Sequence, residues 1–530
     1  MSTGRIELVE IPLAGKTPFS QVAIHLHPQD DVAIAKAPLS AGVVLQRQDA
    51  PDIAIQRFIP SGHKIALRDI AAGEPVRRYG QIIGFATQRI GVGHHVHVQN
   101  LAVGDFARDY AFCEDARPVT LIPESQRRTF MGYQRADGRV GTRNYIAILS
   151  SVNCSAHTVQ EIARHFTPER LAAYPNVDGV IALPHPAGCG IRTGGEDYTI
   201  LQRTIAGMAR HPNVGAYLMV GLGCETNQIS DIMDNYHLGA EGRPPQIPLN
   251  LSIQGEGGIR KTIQAGIDAV EQLLPLVNQT PRTPQPISEL VVALKCGGSD
   301  GWSGVTANPI VGMVADEIVR QGGTAALAET PEIYGAEHLL TRRAISREVG
   351  EKIVEKVHWW EAHARRHNME IDNNPSAGNK VGGLTTILEK SLGAVAKSGT
   401  SPLMGVFDYA EPITVRGFTF VDTPGYDPVC VTGQVASGCT IVLFTTGRGS
   451  VFGFKPAPSI KITSNTATYQ HMMDDMDFNA GKVLDGADMA QTADELLDLV
   501  IAVASGQPSK SEAQRVGEAE FNPWNLGGTL

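Results

Sequence analysis

Short apolar runs broken by turn residues fill the first hundred positions of the chain. QVAIHLHPQDDVAIA reads as two such runs on either side of a polar turn at His27 to Asp31. IPSGHKIALRDIAAGEPVRRYGQIIGFAT continues with brief strands parted at Ser-Gly, Ala-Gly and Tyr-Gly. In HHVHVQNL polar and apolar residues alternate with the period of a strand, which sets His95 and His97 on one face. The spacing predicts a small barrel or sandwich over residues 18–100.

Periodicity fades over residues 101–128, where CEDARPVTLIPESQRR reads as a linker. From Tyr145 the pattern changes. YIAILSSV, VDGVIALPH and VGAYLMVGLG are apolar strands, and HTVQEIARHF and LQRTIAGMAR lie between them with helical spacing. Strand and helix in alternation predict a largely parallel sheet, whose ligands sit beyond the carboxyl ends of the strands. NQTPRTPQPIS reads as a loop marking a boundary near residue 285. Beyond it ELVVALKCGGSD, TAALAET, FTFVDTP and GCTIVLFTTGRG restart the strands, and ISREVGEKIVEKVHWWEAHARRH is a long helix. The predicted fold class is multidomain α/β: a small β-rich N-terminal domain, then two α/β domains with largely parallel sheets at 129–282 and 286–510. The tail after Gly506 is polar and offers little to pack before Phe521 and Trp524.

A chain of 530 residues is too long for one core, and 42% hydrophobic with 19% charged residues is ordinary globular composition. The formal charge of -10 and the lack of any Lys/Arg run argue against a nucleic-acid partner. No apolar stretch reaches membrane-spanning length, and MSTGRIELVEIPLAGK lacks the basic flank and apolar core of a secretory signal. Seven scattered cysteines, an odd number, do not suggest a disulfide framework. These features lead us to expect a cytoplasmic protein with reduced thiols, a small-molecule partner and, by base rate, a homodimer.

Four cysteines follow apolar runs in the same way: Cys154 in SVNCSAH, Cys189 in LPHPAGCG, Cys224 in VGLGCE and Cys296 in ALKCGGSD. His185 precedes Cys189 by four positions, and Glu225 adjoins Cys224. Thiolates and imidazole at strand ends suit iron or zinc, while buried packing is the ordinary role of a free cysteine. His63 in SGHK can exchange protons near neutral pH, and Lys64 beside it can pair with a carboxylate. Glu389 and Lys390 form an acid–base pair in a helical stretch. CGGSDGWSGVTANP gathers Ser299, Asp300, Thr306 and Asn308 in a tight polar loop, and FTTGRGSVFG offers Thr446 and Arg448. Glycines let backbone approach an anion and an arginine fork grips a carboxylate, although plain turns also use such glycines. No dinucleotide or P-loop fingerprint is present.

These strings resemble a known family. GYQRADGRVGTRNY, GLGCETNQ, KCGGSDGWSGVTANP, NPSAGNKVGGLTTILEKSLG and LFTTGRGS are similar to the altronate and galactarate dehydratases, and IPSGHKIALRDIAAGEPVRRYGQIIGFA looks like the SAF-type domain that precedes them. The likeness runs over roughly residues 20 to 505 and leans to the altronate side in GHHVHVQNL, PEIYGAEHLL and the Cys439 segment SGCTIVLF. It departs at QRQDAPDIAIQRF and LPHPAGCGIRTGGED, which puts the substrate in doubt. The resemblance implies removal of water from a six-carbon sugar acid to give a 2-keto-3-deoxy acid, with ferrous iron, manganous or another divalent ion. We expect that ion on Cys154, His185, Cys189, Cys224 and Cys296; proton transfer by His63 with Lys64, Glu389 and Lys390 as further catalytic groups; and substrate held by Ser299, Asp300, Asn308, Thr446 and Arg448, with Lys64 gripping its carboxylate alongside Arg448. An iron–sulfur cluster on the thiols is the alternative cofactor. A sulfo-lyase acting on sulfolactate and a non-catalytic sugar-acid sensor are the alternative functions.

Overall fold

The computed structural model describes residues 16–104, 106, 108–239 and 247–527, so most of the opening segment inspected for a secretory signal falls outside it. The N-terminal domain is β-rich, as its short alternating runs dictate. Ala23–Ile24, Val32–Ala35, Lys64–Ala66 and His95–Val96 form one antiparallel sheet in that order. The turn between the first two closes where Asp30 donates its N–H to the His27 carbonyl. Pro75–Arg78, Gln81–Ala86 and Leu101–Ala102 make a second antiparallel layer. Leu39, Leu45, Ile53 and Ile65 fill this domain's own core, whereas Val76, Ile83, Ile90 and Val96 pack into the same apolar cluster as the C-terminal sheet. The small domain therefore shares a core with the far end of the chain.

The central domain carries β1 (Tyr145–Ser150), β2 (Gly179–Leu183), β3 (Val214–Gly221) and β4 (Asn250–Ser252), all parallel, in the order β2-β1-β3-β4. Every residue of β1 is buried, as expected of a strand covered on both faces. Helices α1 (Ala156–Arg164), α2 (Glu196–Ala209) and α3 (Ile259–Val277) cover the sheet. The C-terminal domain has seven parallel strands: β5 (Val291–Cys296), β6 (Thr324–Ala328), β7 (Leu403–Phe407), β8 (Gly417–Val421), β9 (Ile441–Thr446), β10 (Ser459–Thr463) and β11 (Phe478–Asn479). Their order is β7-β8-β6-β5-β9-β10-β11. Helices α4 (Ala307–Arg320), α5 (Arg347–Arg366), α6 (Ile387–Val395), α7 (Asp427–Ala436) and α8 (Met489–Ala504) complete it. No helix among the described residues is long and apolar enough to cross a membrane.

Two segments differ from the sequence reading. The proline-rich stretch read as a loop holds a strand, Thr283–Pro286, pairing antiparallel with Thr129–Gln134. It lies at a sheet edge, where proline's missing N–H is tolerated. The polar tail docks well before Phe521. Glu512 grips Arg143 with contacts of 2.7 and 2.8 Å, and the Ser511 hydroxyl accepts from Lys461 at 2.7 Å.

The central and C-terminal bodies meet along α2 and α7, within one apolar cluster running from Leu149 and Met219 to Val431 and Phe444. Gly207 on α2 lies so close to α7 that an added methyl would run into the Ala436 carbonyl. Gly207→Ala is expected to lower stability by about 1–3 kcal/mol, despite alanine's better helix propensity, because backbone cannot yield as a side chain can. A chemical denaturation midpoint measures the loss; an unchanged or raised midpoint would show that the two helices are free to part.

Candidate active site

The C-terminal sheet reverses its winding between β5 and β9. The chain runs from β5 through β6 to the edge strand β7 and back to β8 on one side, then crosses to β9 and continues to β11 on the other. At such a point the connecting segments diverge and leave a crevice beyond the strand ends. Two glycine loops line it. Gly297 donates to the Thr445 carbonyl at 3.0 Å, and Gly447 and Arg448 both donate to Gly298 at 3.0 and 2.8 Å. Gly298 sits at φ +65, a backbone region that favours glycine. Arg448 is exposed at the rim and makes no ion pair among the described residues.

A buried acid–base cluster occupies the ends of β5 and β6. Lys397 donates to the Cys296 sulfur at 2.7 Å, and Glu332 lies 3.5 Å from that sulfur. Lys295 pairs with Glu329 and, at 2.9 Å, with Asp427; Lys390 pairs with Glu332 at 2.7 Å. Burial, reinforced by the charge of Glu332, raises the Glu329 carboxyl to about 7. Burial would raise Glu332 too, but Lys390, Lys295 and Lys397 hold it at about 2. Burial pushes the Cys296 thiol up against the pull of Lys397. Glu329 is also a non-glycine residue at φ +72, strain of the kind that collects at working sites.

The N-terminal domain closes over this crevice. Gly301 donates to Gly382 at 2.8 Å, and a methyl on either Gly301 or Gly383 would strike the Gly62 carbonyl, so three loops touch through bare backbone. Lys64 donates to Glu389 at 2.8 and 2.9 Å and to the Gly383 carbonyl at 2.7 Å. Arg78 reaches the same carboxylate at 2.5 Å and the Gly301 carbonyl at 2.7 Å. The side chains of Lys64, Arg78 and Glu389 have no solvent exposure. Burial brings Lys64 down to about 8; Glu389 is held at about 2 by Lys64 and Arg78, against the opposing effect of its burial.

Beside this tie His63, His95 and His97 bring ring nitrogens within 4.8 Å of one another. His63 Nε2 lies 3.1 Å from the Val381 carbonyl, which fixes its proton there and leaves Nδ1 bare, 3.0 Å from His95 Nε2. His97 Nδ1 is buried without a partner among the described residues. Burial keeps all three rings neutral, lowering His63, taking His95 to about 3 and His97 to about 4. Neutral imidazoles, one oriented by a backbone carbonyl and one with an orphaned nitrogen, form a donor set that fits a divalent ion. The other close trio, Cys296, Glu329 and Glu332, fits one poorly, since each group already faces its own lysine.

Several sequence expectations change here. Cys154, His185, Cys189, Cys224 and Cys296 do not share one centre: Cys296 is buried in the C-terminal sheet, and the other three thiols are exposed on the central one. His185 is no free ligand, because Nε2 lies 2.8 Å from the Ser150 carbonyl and Nδ1 accepts from Ala187; burial lowers it to about 4. Lys64 is spent on Glu389 and cannot grip a substrate. Glu389 and Lys390 do not pair with each other, for consecutive helical residues point apart. Asp300 accepts from Ser303, Ser464 and Asn465, and Asn308 joins Thr445 to Gly393; both organise their loops. Ser299 is buried, its carbonyl bound by Asn379, and the Thr446 hydroxyl is buried without a partner. The sequence reading missed Glu329 and Glu332, although LAETPE shows the same polar-after-apolar signature that singled out the cysteines.

A capped α/β body with an acid–base cluster at its strand switch is the architecture of an enzyme acting on small molecules. Matches to known families specify it. Residues 21–104 match the altronate/galactarate dehydratase SAF domain, 132–278 the second domain of D-galactarate dehydratase/altronate hydrolase, and 287–529 the C-terminal D-galactarate/altronate dehydratase domain. The chain is 36% identical over 490 residues to altronate dehydratase of Escherichia coli (strain K12), covering 92% of this chain and 96% of that one. It is 36% identical over 507 residues to the galactarate dehydratase (L-threo-forming) of the same organism, covering 94% and 96%. The (2R)-sulfolactate sulfo-lyase subunit beta of Chromohalobacter salexigens is 33% identical over 402 residues, covering 75% and 97%. The chain belongs to the D-galactarate/altronate dehydratase family and is an enzyme of the hydro-lyase class.

Proposed function

We propose that the chain removes water from a six-carbon sugar acid of the altronate type, giving a 2-keto-3-deoxy acid, and that it does so with a divalent ion, ferrous before manganous, on His63, His95 and His97. The observation that carries this reading is the convergence of three neutral imidazoles at the seam between cap and crevice. Bound there, the ion would supply Lewis acidity toward the substrate's carboxylate and hydroxyl. The chain's own groups do the rest. Arg448 at the rim grips the carboxylate, helped by Lys380, whose charge already reaches His97. Glu329 takes the proton from C2, and the Cys296 thiol beside Lys397 is the proton source for the departing C3 hydroxyl. The enol then collapses to the keto acid without an organic cofactor. Seven free cysteines accord with a cytoplasmic setting.

Galactarate is the alternative substrate, and likeness to a sulfo-lyase subunit keeps a sulfonate leaving group open. Anaerobic protein with ferrous ion, offered altronate, galactarate and sulfolactate, decides: keto acid from altronate alone supports the proposal, and sulfite from sulfolactate refutes it. The pH profile tests Glu329. A base must be deprotonated, so kcat/KM, which reports the free enzyme, is expected to rise through an inflection near its value of about 7. Glu329→Gln removes that limb and lowers kcat by about 10²–10⁴-fold. A profile flat across neutral pH would relieve Glu329 of the role.

A further inference from the structure

The three exposed cysteines of the central domain crown one end of its sheet. Cys154 lies four residues past β1, Cys189 six past β2 and Cys224 three past β3, and β1 is paired to both of the others. Their loops are stitched together. Asn153 donates to the Ala187 carbonyl at 2.9 Å and Asn227 to the Gly188 carbonyl at 3.0 Å; the Asn227 amide also reaches the Ser151 carbonyl at 2.9 Å. Gly188, at φ +108, lies so close to Val152 that any side chain would collide with it.

The Gln254 amide donates to the Cys224 sulfur at 3.3 Å and holds that side chain beside the neighbouring loops. A further observation points to a guest. Asn227, fully buried among the three loops, has an Oδ1 with no partner among the described residues. The neighbouring His185 and Glu225 are not free to serve as a fourth ligand. Both nitrogens of His185 are engaged, and the Glu225 oxygens accept from Ser151 and Gly223. Nor are the thiols among the described trios whose ligand atoms all lie within 4.8 Å. Three thiols, more open than one ion needs and with no fourth ligand from His185 or Glu225, do not make a closed zinc site. They match a larger thiophilic group that can leave one metal without a protein thiolate.

We propose that Cys154, Cys189 and Cys224 bind a cubane iron–sulfur cluster, with one iron open to solvent, at a site separate from the imidazole trio.

The test is anaerobic reconstitution of the full chain with ferric ion, sulfide and excess dithiothreitol, the thiol supplying the electrons that bring the cluster to its mixed-valent state, followed by desalting. The expected product shows visible charge-transfer absorption and about four irons and four acid-labile sulfides per chain in excess of whatever the imidazoles hold. Cys154→Ser, Cys189→Ser and Cys224→Ser should each abolish the absorption and the sulfide. Because these thiols are exposed, the melting temperature should not move. Cys113→Ser and His95→Ala should leave the colour intact, which separates this site from the proposed ion centre. Iron retained without sulfide, or colour surviving in the triple serine variant, would overturn the proposal.

Discussion

Glu389→Ala is expected to lower the unfolding free energy by about 3–5 kcal/mol, because it strands the ammonium of Lys64 and the guanidinium of Arg78 without a counter-charge in a place water does not reach. Lys64→Met removes one cation and leaves the carboxylate still paired to Arg78, so its loss should be smaller. Urea midpoints at unchanged slope measure both. The acid limb carries a second signature. The carboxyl of Glu389 is held at about 2 against an ordinary 4.5, so the stabilisation it brings is complete above about 4.5 and fades as pH falls toward 2. That component of acid sensitivity should vanish in Glu389→Ala. A loss below about 1 kcal/mol would mean that the two cations find solvent after all.

His97→Ala is expected to lower kcat on the order of a thousand-fold and to strip bound divalent ion, while the fold persists. A Lewis-acid ion contributes several kcal/mol to a transition state, and each 1.4 kcal/mol is about tenfold in rate. His97 is half-buried, and its Nδ1 meets no protein partner, so little else depends on the ring. His94→Ala, three positions away, serves as the control: among the described residues its ring bonds only the Gly91 carbonyl. Metal analysis beside the keto-acid assay separates loss of the ion from loss of the chemistry. Full activity in His97→Ala would remove the trio from the reaction.

Much of the architecture was legible in the chain. β1, β3 and β9 are apolar along most of their length, and such runs followed by glycine or cysteine can hardly be other than buried strands ending at a cleft. The period-two spacing of His95 and His97 was likewise enough to place both rings on one side. β7 escaped because SPLMGVFDY is short and broken by glycine, and β10 because SIKIT carries a lysine, which is buried with its ammonium bonded to Ser511 and facing Asp477. The site was harder to read. His63 meets His95 across two paired strands, a neighbour relation that no local spacing records. Four cysteines shared a strand-end signature, yet that signature does not say which sheet a strand joins, and Cys296 belongs to another. Glu329 and Glu332 look like ordinary surface carboxylates until three lysines from distant segments close around them.

The attachment of the first domain to the last through Lys64, Arg78 and Glu389, with a common apolar interior behind it, also bears on the peptide that joins them. Cohesion of the two ends is therefore expected to survive a break in the peptide within residues 101–128. Proteolytic nicking there would leave a two-fragment particle that stays associated on a sizing column, and the same chemistry lets one polypeptide or two separate ones encode this arrangement.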